Sequence, residues 1–374
     1  MTAPRSPGNV PPRTTVLPRN DALPRNAVLP RNSVLIGDVR DRLAELPDAS
    51  IDTVITSPPY VALRSYGVDG QIGAEPDVEQ WISDLRQVGE QLARVLKGSG
   101  SWWLNLGDSY SRHESAGAPP KSLLLAPERL AMALIQDGWS IRNRVVWSKT
   151  NPMPNSVADR LACTWEVVYF LVRSPKYYFD LDAIRVPHRS AGRGQVASNR
   201  ETVYPPVSAI PPTWAGPLAG SNSGLSRLKA QGLPGHPLGK NPGDVWTLPT
   251  ANFRGKHFAV FPEKLVRTPL LATCPEKVCV GCGVPWKREA RRSAGAVTGL
   301  GGLRQVCPCR AGTKPGVVLD PFFGSGTVGV VAESWARDWI GIELNPAFAR
   351  LAEDRIAAAR SSPTDHHEVV RAAA

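Results

Sequence analysis

Gly316-Val317-Val318-Leu319-Asp320-Pro321-Phe322-Phe323-Gly324-Ser325-Gly326-Thr327-Val328-Gly329 begins as an apolar run and ends in glycines spaced G-x-G-x-x-G. The run predicts a buried strand and the glycines a tight turn. After a helical stretch a second apolar run, Trp339-Ile340-Gly341-Ile342-Glu343, closes on an acid 19 residues beyond Gly324. Strand, glycine turn, helix, strand and terminal acid in this register predict a unit that binds an adenosine-containing cofactor, with the acid meeting a ribose hydroxyl. Asp320 narrows the choice. A carboxylate directly before the turn repels a pyrophosphate but accepts hydrogen bonds from an ammonium group. That favours S-adenosylmethionine over NAD or FAD. The bland alternative is an ordinary βαβ unit with a glycine turn.

Far upstream, Thr56-Ser57-Pro58-Pro59-Tyr60 closes another strand-like run, Ile51 to Ile55. Two consecutive prolines stop the ladder at once, which places a rigid corner at a strand's C-terminal end, where open α/β sheets bind ligands. The corner offers the Ser57 oxygen and backbone carbonyls, all acceptors, beside the ring of Tyr60. Acceptors next to an aromatic face suit a planar group with an amino donor, such as a nucleobase drawn out of its stack. More than 250 residues separate this corner from the glycine turn, yet chemistry between them requires the fold to bring both to one crevice.

Together, TSPPY and DPFFGSGT resemble the catalytic and cofactor motifs of the amino-methyltransferases of DNA, in the permuted order of the β group, most like its N4-cytosine type. The resemblance runs from about Ser33 to about Ala359. Val34-Leu35-Ile36-Gly37-Asp38 is similar to the family strand whose acid contacts the cofactor adenine. The segment from His257 to Leu265 is similar to the one that closes over the methionine end. The resemblance implies catalytic residues Ser57, Pro58, Pro59 and Tyr60. It implies a cofactor site of Asp38, Phe261, Asp320, Pro321, Phe322, Gly324, Ser325, Gly326, Thr327, Glu343 and Asn345. It further implies double-stranded DNA as substrate and is compatible with a homodimer and a cognate restriction endonuclease.

The 374 residues, with formal charge +11 and pI ≈ 9.6, favour a polyanionic partner, although a basic surface alone can serve solubility. With a base-binding corner, nucleic acid is the better explanation. No apolar stretch reaches 18 residues and no leader pattern is visible, so a cytoplasmic, nucleoid-associated protein without membrane contact is expected. The alternation of strand and helix from residue 33 to 184 and again from 313 to 360 predicts a doubly wound, mostly parallel, seven-stranded sheet, the two stretches forming the catalytic and cofactor halves. An amphipathic helix is expected from about Val78 to Leu96, with Trp81, Leu85, Val88, Leu92 and Val95 on one face and Gly98-Ser99-Gly100 ending it.

Outside the two halves the character changes. Residues 1–32 repeat Leu-Pro-Arg-Asn at Leu17, Leu23 and Leu29 and predict an extended basic arm, with five arginines for phosphate contact or no function at all. Residues 185–256 are rich in Pro, Gly and Ser and correspond to the family's target-recognition region; the alternative is a surface insertion. By the same resemblance residues 257–273 are expected to be the cofactor-closing segment, and 361–374 are expected to be a disordered tail. Five of the six cysteines fall in 274–312. Cys279-x-x-Cys282 and Cys307-x-Cys309 offer four thiolates for a structural Zn²⁺, the second pair one residue shorter than usual, which leaves Cys274 as a substitute ligand. Such an ion would hold together an insertion too poor in apolar residues to fold alone.

The corner also suggests a mechanism. An exocyclic amino nitrogen is a poor nucleophile because its lone pair is delocalised into the ring. If Ser57 and the Pro58 carbonyl accept its two hydrogens, the lone pair turns toward a methyl donor held by the glycine turn. Carbon-5 methylation needs a cysteine nucleophile, and the only Pro-Cys pair, Pro308-Cys309, belongs to the cysteine cluster. In the resembled family SPPY is more usual for cytosine N4 and DPPY for adenine N6, so Ser57 points to cytosine, with N6-adenine methylation as the alternative. A catalytically silent zinc-containing DNA-binding protein is the remote one.

Overall fold

Among the described residues, eight strands line up in one sheet with three helices on each face. The computed structural model describes residues 28–61, 68, 70–154, 156–188, 236, 238–251, 260–293 and 296–361. In chain order the first elements are β1 (Ser33–Ile36), α1 (Val39–Ala44), β2 (Ile51–Thr56), α2 (Val78–Val95), β3 (Leu96–Leu106) and α3 (Ala126–Gln136). Then come β4 (Ser140–Lys149), β5 (Trp165–Val172), β6 (Val245–Leu248) and α4 (Glu263–Thr273). A cysteine-bearing excursion holds β7 (Val278–Cys279), β8 (Lys287–Ser293), β9 (Ala296–Arg304) and β10 (Thr313–Lys314). The chain finishes with β11 (Val317–Asp320), α5 (Thr327–Ser334), β12 (Asp338–Glu343) and α6 (Pro346–Ser361).

The sheet order is β1-β12-β11-β2-β3-β5-β4-β6. Only the β3–β5 and β4–β5 pairings are antiparallel. The glycine-turn strand β11 lies directly against the corner strand β2, with Val318 opposite Thr53 and Leu319 opposite Val54. The long separation in sequence thus becomes adjacency in space. Both strands are buried throughout, as expected of central parallel strands covered on both faces. One core joins the sheet to α1, α2 and α3, the other to α4, α5 and α6.

Helix α2 shows why the local pattern was legible. Asp77 accepts from the Gln80 amide and caps its first turn. Trp81, Leu85, Val88, Leu92 and Val95 are all buried, each contributing about 1.5–3 kcal/mol by removing its apolar surface from water. Its end differs from expectation. The helix stops at Val95, Leu96 adopts extended backbone, and the chain enters β3 without a glycine cap. Gly98 and Gly100 sit instead in a bulge, where the β2–β3 register jumps between Ile51 and Thr53. A Cβ on Gly100 would lie 3.0 Å from the Asp52 carbonyl, so the bulge needs glycine for close approach.

Two further expectations change. The sheet has an eighth strand beyond the predicted seven, because β6 pairs parallel to the edge strand β4, from Val146 opposite Val245 to Lys149 opposite Leu248. Its four residues lie inside the stretch read as irregular, too short to show a period. The basic arm does not extend to residue 32: Arg31 is ion-paired with Asp338, and Asn32 Oδ1 accepts from the Trp339 amide at 3.0 Å. A guanidinium engaged with a carboxylate beside the sheet edge is not available to phosphate. Residues 1–27 of the arm, most of the 185–256 region and the tail beyond Ser361 lie outside the described residues. Among the described residues, no helix is long and apolar enough to cross a membrane.

Candidate active site

At the end of β2, the Trp81 indole N–H donates to the Pro59 carbonyl at 2.9 Å, tying the corner to helix α2. Tyr60 packs its ring over Gly107, where a Cβ would fall 2.7 Å from the ring edge; only glycine lets the ring lie there. Its hydroxyl donates to Glu166 Oε2 at 2.7 Å and stands 3.2 Å from Ser57 Oγ. Asn105, 5 % exposed at the end of β3, points its Nδ2 at the same three atoms: Glu166 Oε2 at 2.8 Å, Tyr60 OH at 2.9 Å and Ser57 Oγ at 3.2 Å. The opposite amide orientation would set Oδ1 against a carboxylate that can only accept. Lys149 Nζ pairs with the other Glu166 oxygen, Oε1, at 2.5 Å.

At the end of β11, Asp320 is buried, and Oδ1 accepts from Thr56 Oγ1 at 2.6 Å and from the Phe322 amide at 3.1 Å. Among the described residues nothing donates to Oδ2. Burial pushes this carboxyl up to about 7, its two hydrogen bonds offsetting part of the rise and the nearby Glu343 charge adding to it. Phe323 stacks on Trp339 at 5.3 Å between ring centroids. Gly341 lies beneath it, so close that a Cβ would meet the ring at 2.3 Å. Gly326 starts α5 at φ 75°, the left-handed region that favours glycine. The Arg355 guanidinium from α6 donates to Ser325 Oγ at 2.9 Å and Thr327 Oγ1 at 3.3 Å, fixing the turn from behind.

The Glu343 carboxylate accepts from the Gly324 amide at 2.7 Å and the Asn345 amide at 2.8 Å, closing the turn onto the end of β12. Burial raises this carboxyl above its ordinary range against those amides. Asp38 accepts from the Arg40 amide at 2.8 Å, capping α1.

These pieces face one open cleft of about 1310 Å³ at the C-terminal ends of the strands. Ser57, Pro58, Pro59 and Tyr60 line it together with Asp38, Phe261, Pro321, Phe322, Gly324, Ser325, Thr327 and Glu343. Three expected residues stand behind the wall instead. Asp320 lies just below the floor, Gly326 packs against Ala352, and Asn345 caps α6 by accepting from the Ala347 amide. Residues 257–259 of the closing segment fall outside the described residues, while Phe261 lines the cleft.

Glu166 and Lys149 were missed by the sequence reading, and Asn105 was not among the site residues it expected. Their strands, β5 and β4, carry no motif. The one available signal was Glu166, the single charged residue of the otherwise apolar β5; β4 carries two arginines besides Lys149.

The cysteine excursion meets the sheet at the opposite pole, between the C-terminus of α4 and the N-terminus of β11. Cys279, Cys282, Cys307 and Cys309 present sulfurs all within 4.8 Å of one another. A tetrahedral ion with bonds of about 2.3 Å sets its sulfurs about 3.8 Å apart, so the donor set fits Zn²⁺. The short Cys307-x-Cys309 spacing is therefore no obstacle. Cys274 is not among them: it ends α4, wholly buried in the core, and burial pushes its thiol far up. Arg288 fastens the β8–β9 hairpin to the body through Asp180 at 2.8 Å and Glu276 at 3.1 Å.

Comparison with known proteins agrees with this geometry. A family model described as DNA methylase matches residues 51–354. Type II methyltransferase M.Cfr9I of Citrobacter freundii is 32% identical over 342 residues, covering 86% of this chain and 86% of that one. Type II methyltransferase M.SmaI of Serratia marcescens is 31% identical over 344 residues, covering 86% and 89%. Among solved structures, PvuII DNA methyltransferase (cytosine-N4-specific) matches with a TM-score of 0.52 at 17% identity, over 88% of this chain and 91% of that one; at that identity the likeness speaks for the fold.

Proposed function

The chain belongs to the DNA methylase family of N6 and N4 methyltransferases, and from that premise we propose that it methylates the exocyclic N4 amino group of a cytosine flipped out of duplex DNA. S-adenosylmethionine is the methyl donor in this reading. The observation that carries it is the single cleft into which the Ser57–Tyr60 corner and the Pro321–Thr327 turn both open. An acceptor corner for an amino group and a glycine turn ending near a buried acid are what methyl transfer to nitrogen needs side by side.

Asp38 and Glu343 on the cleft wall suit the adenosine hydroxyls and amino group, and Asp320 Oδ2, just below the floor, suits an ammonium reaching down to it. Bound there, S-adenosylmethionine supplies a sulfonium methyl, which needs a nucleophile in line with it and no base to activate it. The corner supplies the alignment. Ser57 Oγ and the Pro58 carbonyl accept the hydrogens of the amino group, and Tyr60 offers its ring to the base. The Trp81 bond to Pro59 keeps that geometry rigid. Ser57 at the head of the motif supports cytosine over adenine, and the cytosine-N4-specific PvuII enzyme shares the fold.

The deciding experiment incubates purified protein with mixed-sequence duplex DNA and S-adenosylmethionine, digests to nucleosides and identifies the product by mass spectrometry. N4-methylcytosine is expected. N6-methyladenine would overturn the base assignment and leave the family reaction standing. No methylated nucleoside would sink the reading.

Zn²⁺ is the proposed occupant of the sulfur cluster, and its place at the far pole of the sheet makes it structural. Purified protein should contain one zinc per chain. Removing it with a chelator should lower the thermal midpoint by roughly 2–4 °C, the shift given by about 2 kcal/mol in a chain of this length, while S-adenosylmethionine affinity changes less than about threefold, since α4 alone spans ~16 Å at 1.5 Å per residue. A metal-free preparation with the same midpoint would remove zinc from the account.

A further inference from the structure

We propose that Glu166 receives the proton which the amino group must lose, through a relay running Ser57, Tyr60, Glu166; the proposal rests on the amino-methylation reading above. The direction of the relay follows from counting hydrogens. The Tyr60 hydroxyl has one hydrogen, and it is given to Glu166 Oε2 at 2.7 Å. The 3.2 Å contact between Ser57 Oγ and Tyr60 OH must therefore use the Ser57 hydrogen. Asn105 enforces this. Its two Nδ2 hydrogens go to the nearest acceptors, Tyr60 OH at 2.9 Å and Glu166 Oε2 at 2.8 Å. Lys149 holds the far carboxylate oxygen at 2.5 Å. Each hydrogen then points toward the carboxylate, and Ser57 shows the cleft an oxygen that accepts.

The proton balance of the reaction requires such an exit. As the nitrogen–methyl bond forms, the sulfur–methyl bond breaks with its electron pair left on sulfur, and the nitrogen becomes a cation carrying one proton too many. That proton passes to Ser57 Oγ while the Ser57 hydrogen passes to Tyr60 oxygen and the Tyr60 hydrogen to Glu166. Serine and tyrosine end unchanged and the carboxylate ends as a carboxylic acid. Glu166 lines the open cleft, so the proton returns to solvent between turnovers. Asn105 and Lys149 are positioning residues, acting through Glu166 and Tyr60.

The test compares Glu166→Gln, Tyr60→Phe and the double variant in single-turnover methylation. The amide introduced by the first substitution can donate toward Tyr60 and reverse every hydrogen, so that Ser57 would present its hydrogen to the amino group. Tyr60→Phe keeps the stacking ring and breaks the chain. Each should slow methyl transfer by ~10²-fold, the usual share of a placed proton acceptor. The double variant should be no slower than the worse single one, because both cut the same chain. Affinity for duplex DNA, extrusion of the base read by 2-aminopurine fluorescence beside the target, S-adenosylmethionine affinity and thermal midpoint should all stay within about threefold or a few degrees. Single variants within twofold of wild type, or losses that multiply in the double variant, would overturn the relay. Were the wild-type protein to methylate no nucleoside, the reading beneath it would fail instead.

Discussion

Ser57→Ala should slow single-turnover methyl transfer by ~10²–10³-fold, the cost of removing one preorganised hydrogen-bonding group from a reacting centre. The loss should fall on the chemical step. Tyr60 keeps its bonds to Asn105 and Glu166, and Pro59 keeps its bond from Trp81, so the corner and its ring remain in place without the serine oxygen. Duplex affinity and 2-aminopurine fluorescence should therefore match the wild type. The residual rate would come from the Pro58 carbonyl, which the substitution leaves untouched. A variant within threefold of wild type would show that the amino group is held elsewhere in the cleft. A variant that loses DNA affinity in step with rate would show Ser57 to be a binding residue rather than one that acts in the transition state.

Asp320 should make S-adenosylmethionine affinity depend on pH. Its carboxyl is raised by burial to about 7, so near neutrality the protein without ligand holds it half protonated. A ligand ammonium at Oδ2 requires the carboxylate. Binding below about pH 7 must then release a proton, and the dissociation constant should rise roughly tenfold for each pH unit of acidification, flattening above neutrality. Asp320→Asn should bind about 10–10²-fold more weakly at pH 8, the loss of a charge-assisted hydrogen bond of ~1.5–3 kcal/mol, and should show no such slope. Titration calorimetry in two buffers of different ionisation enthalpy would read the proton directly. Wild-type affinity flat from pH 6 to 8 would rule Asp320 out as the ammonium partner.

Stability without ligand follows the opposite sign. A carboxyl whose folded value lies above its unfolded one contributes most below the unfolded value, and that contribution is lost as pH rises through the folded one, here between about 4 and 7. The ligand-free protein should thus lose stability toward pH 8 through this group, and Asp320→Asn should remove that part of the slope.

The elements that build the candidate site were legible because their signals are local. A proline pair must end a strand, and G-x-G-x-x-G after an apolar run must turn into a helix, whatever surrounds them. The strand read from Ile51 and the helix read from Val78 match β2 and α2 to within a residue at each end. What the corner does with its hydroxyls was not legible. Asn105 and Glu166 meet because β3 and β5 run antiparallel, with Asn105 opposite Val168 and Glu166 two residues along on the same face. Lys149 joins them from β4 beyond, two residues past Trp147, the residue opposite Glu166. The chain spacing of these three residues says nothing of that meeting.

The sequence by itself determined the central strands, the corner, the glycine turn and the two cysteine pairs, since each is set by residues within a turn or two of one another. Tertiary structure alone decided that β2 and β11 are neighbours, that a short eighth strand extends the sheet, that Arg31 belongs to the body and that Cys274 belongs to the core. It also decided that a carboxylate from β5 stands at the end of the serine's hydrogen-bond chain. Pairing order and register depend on which buried faces fit together across the whole sheet, a quantity that no single segment contains.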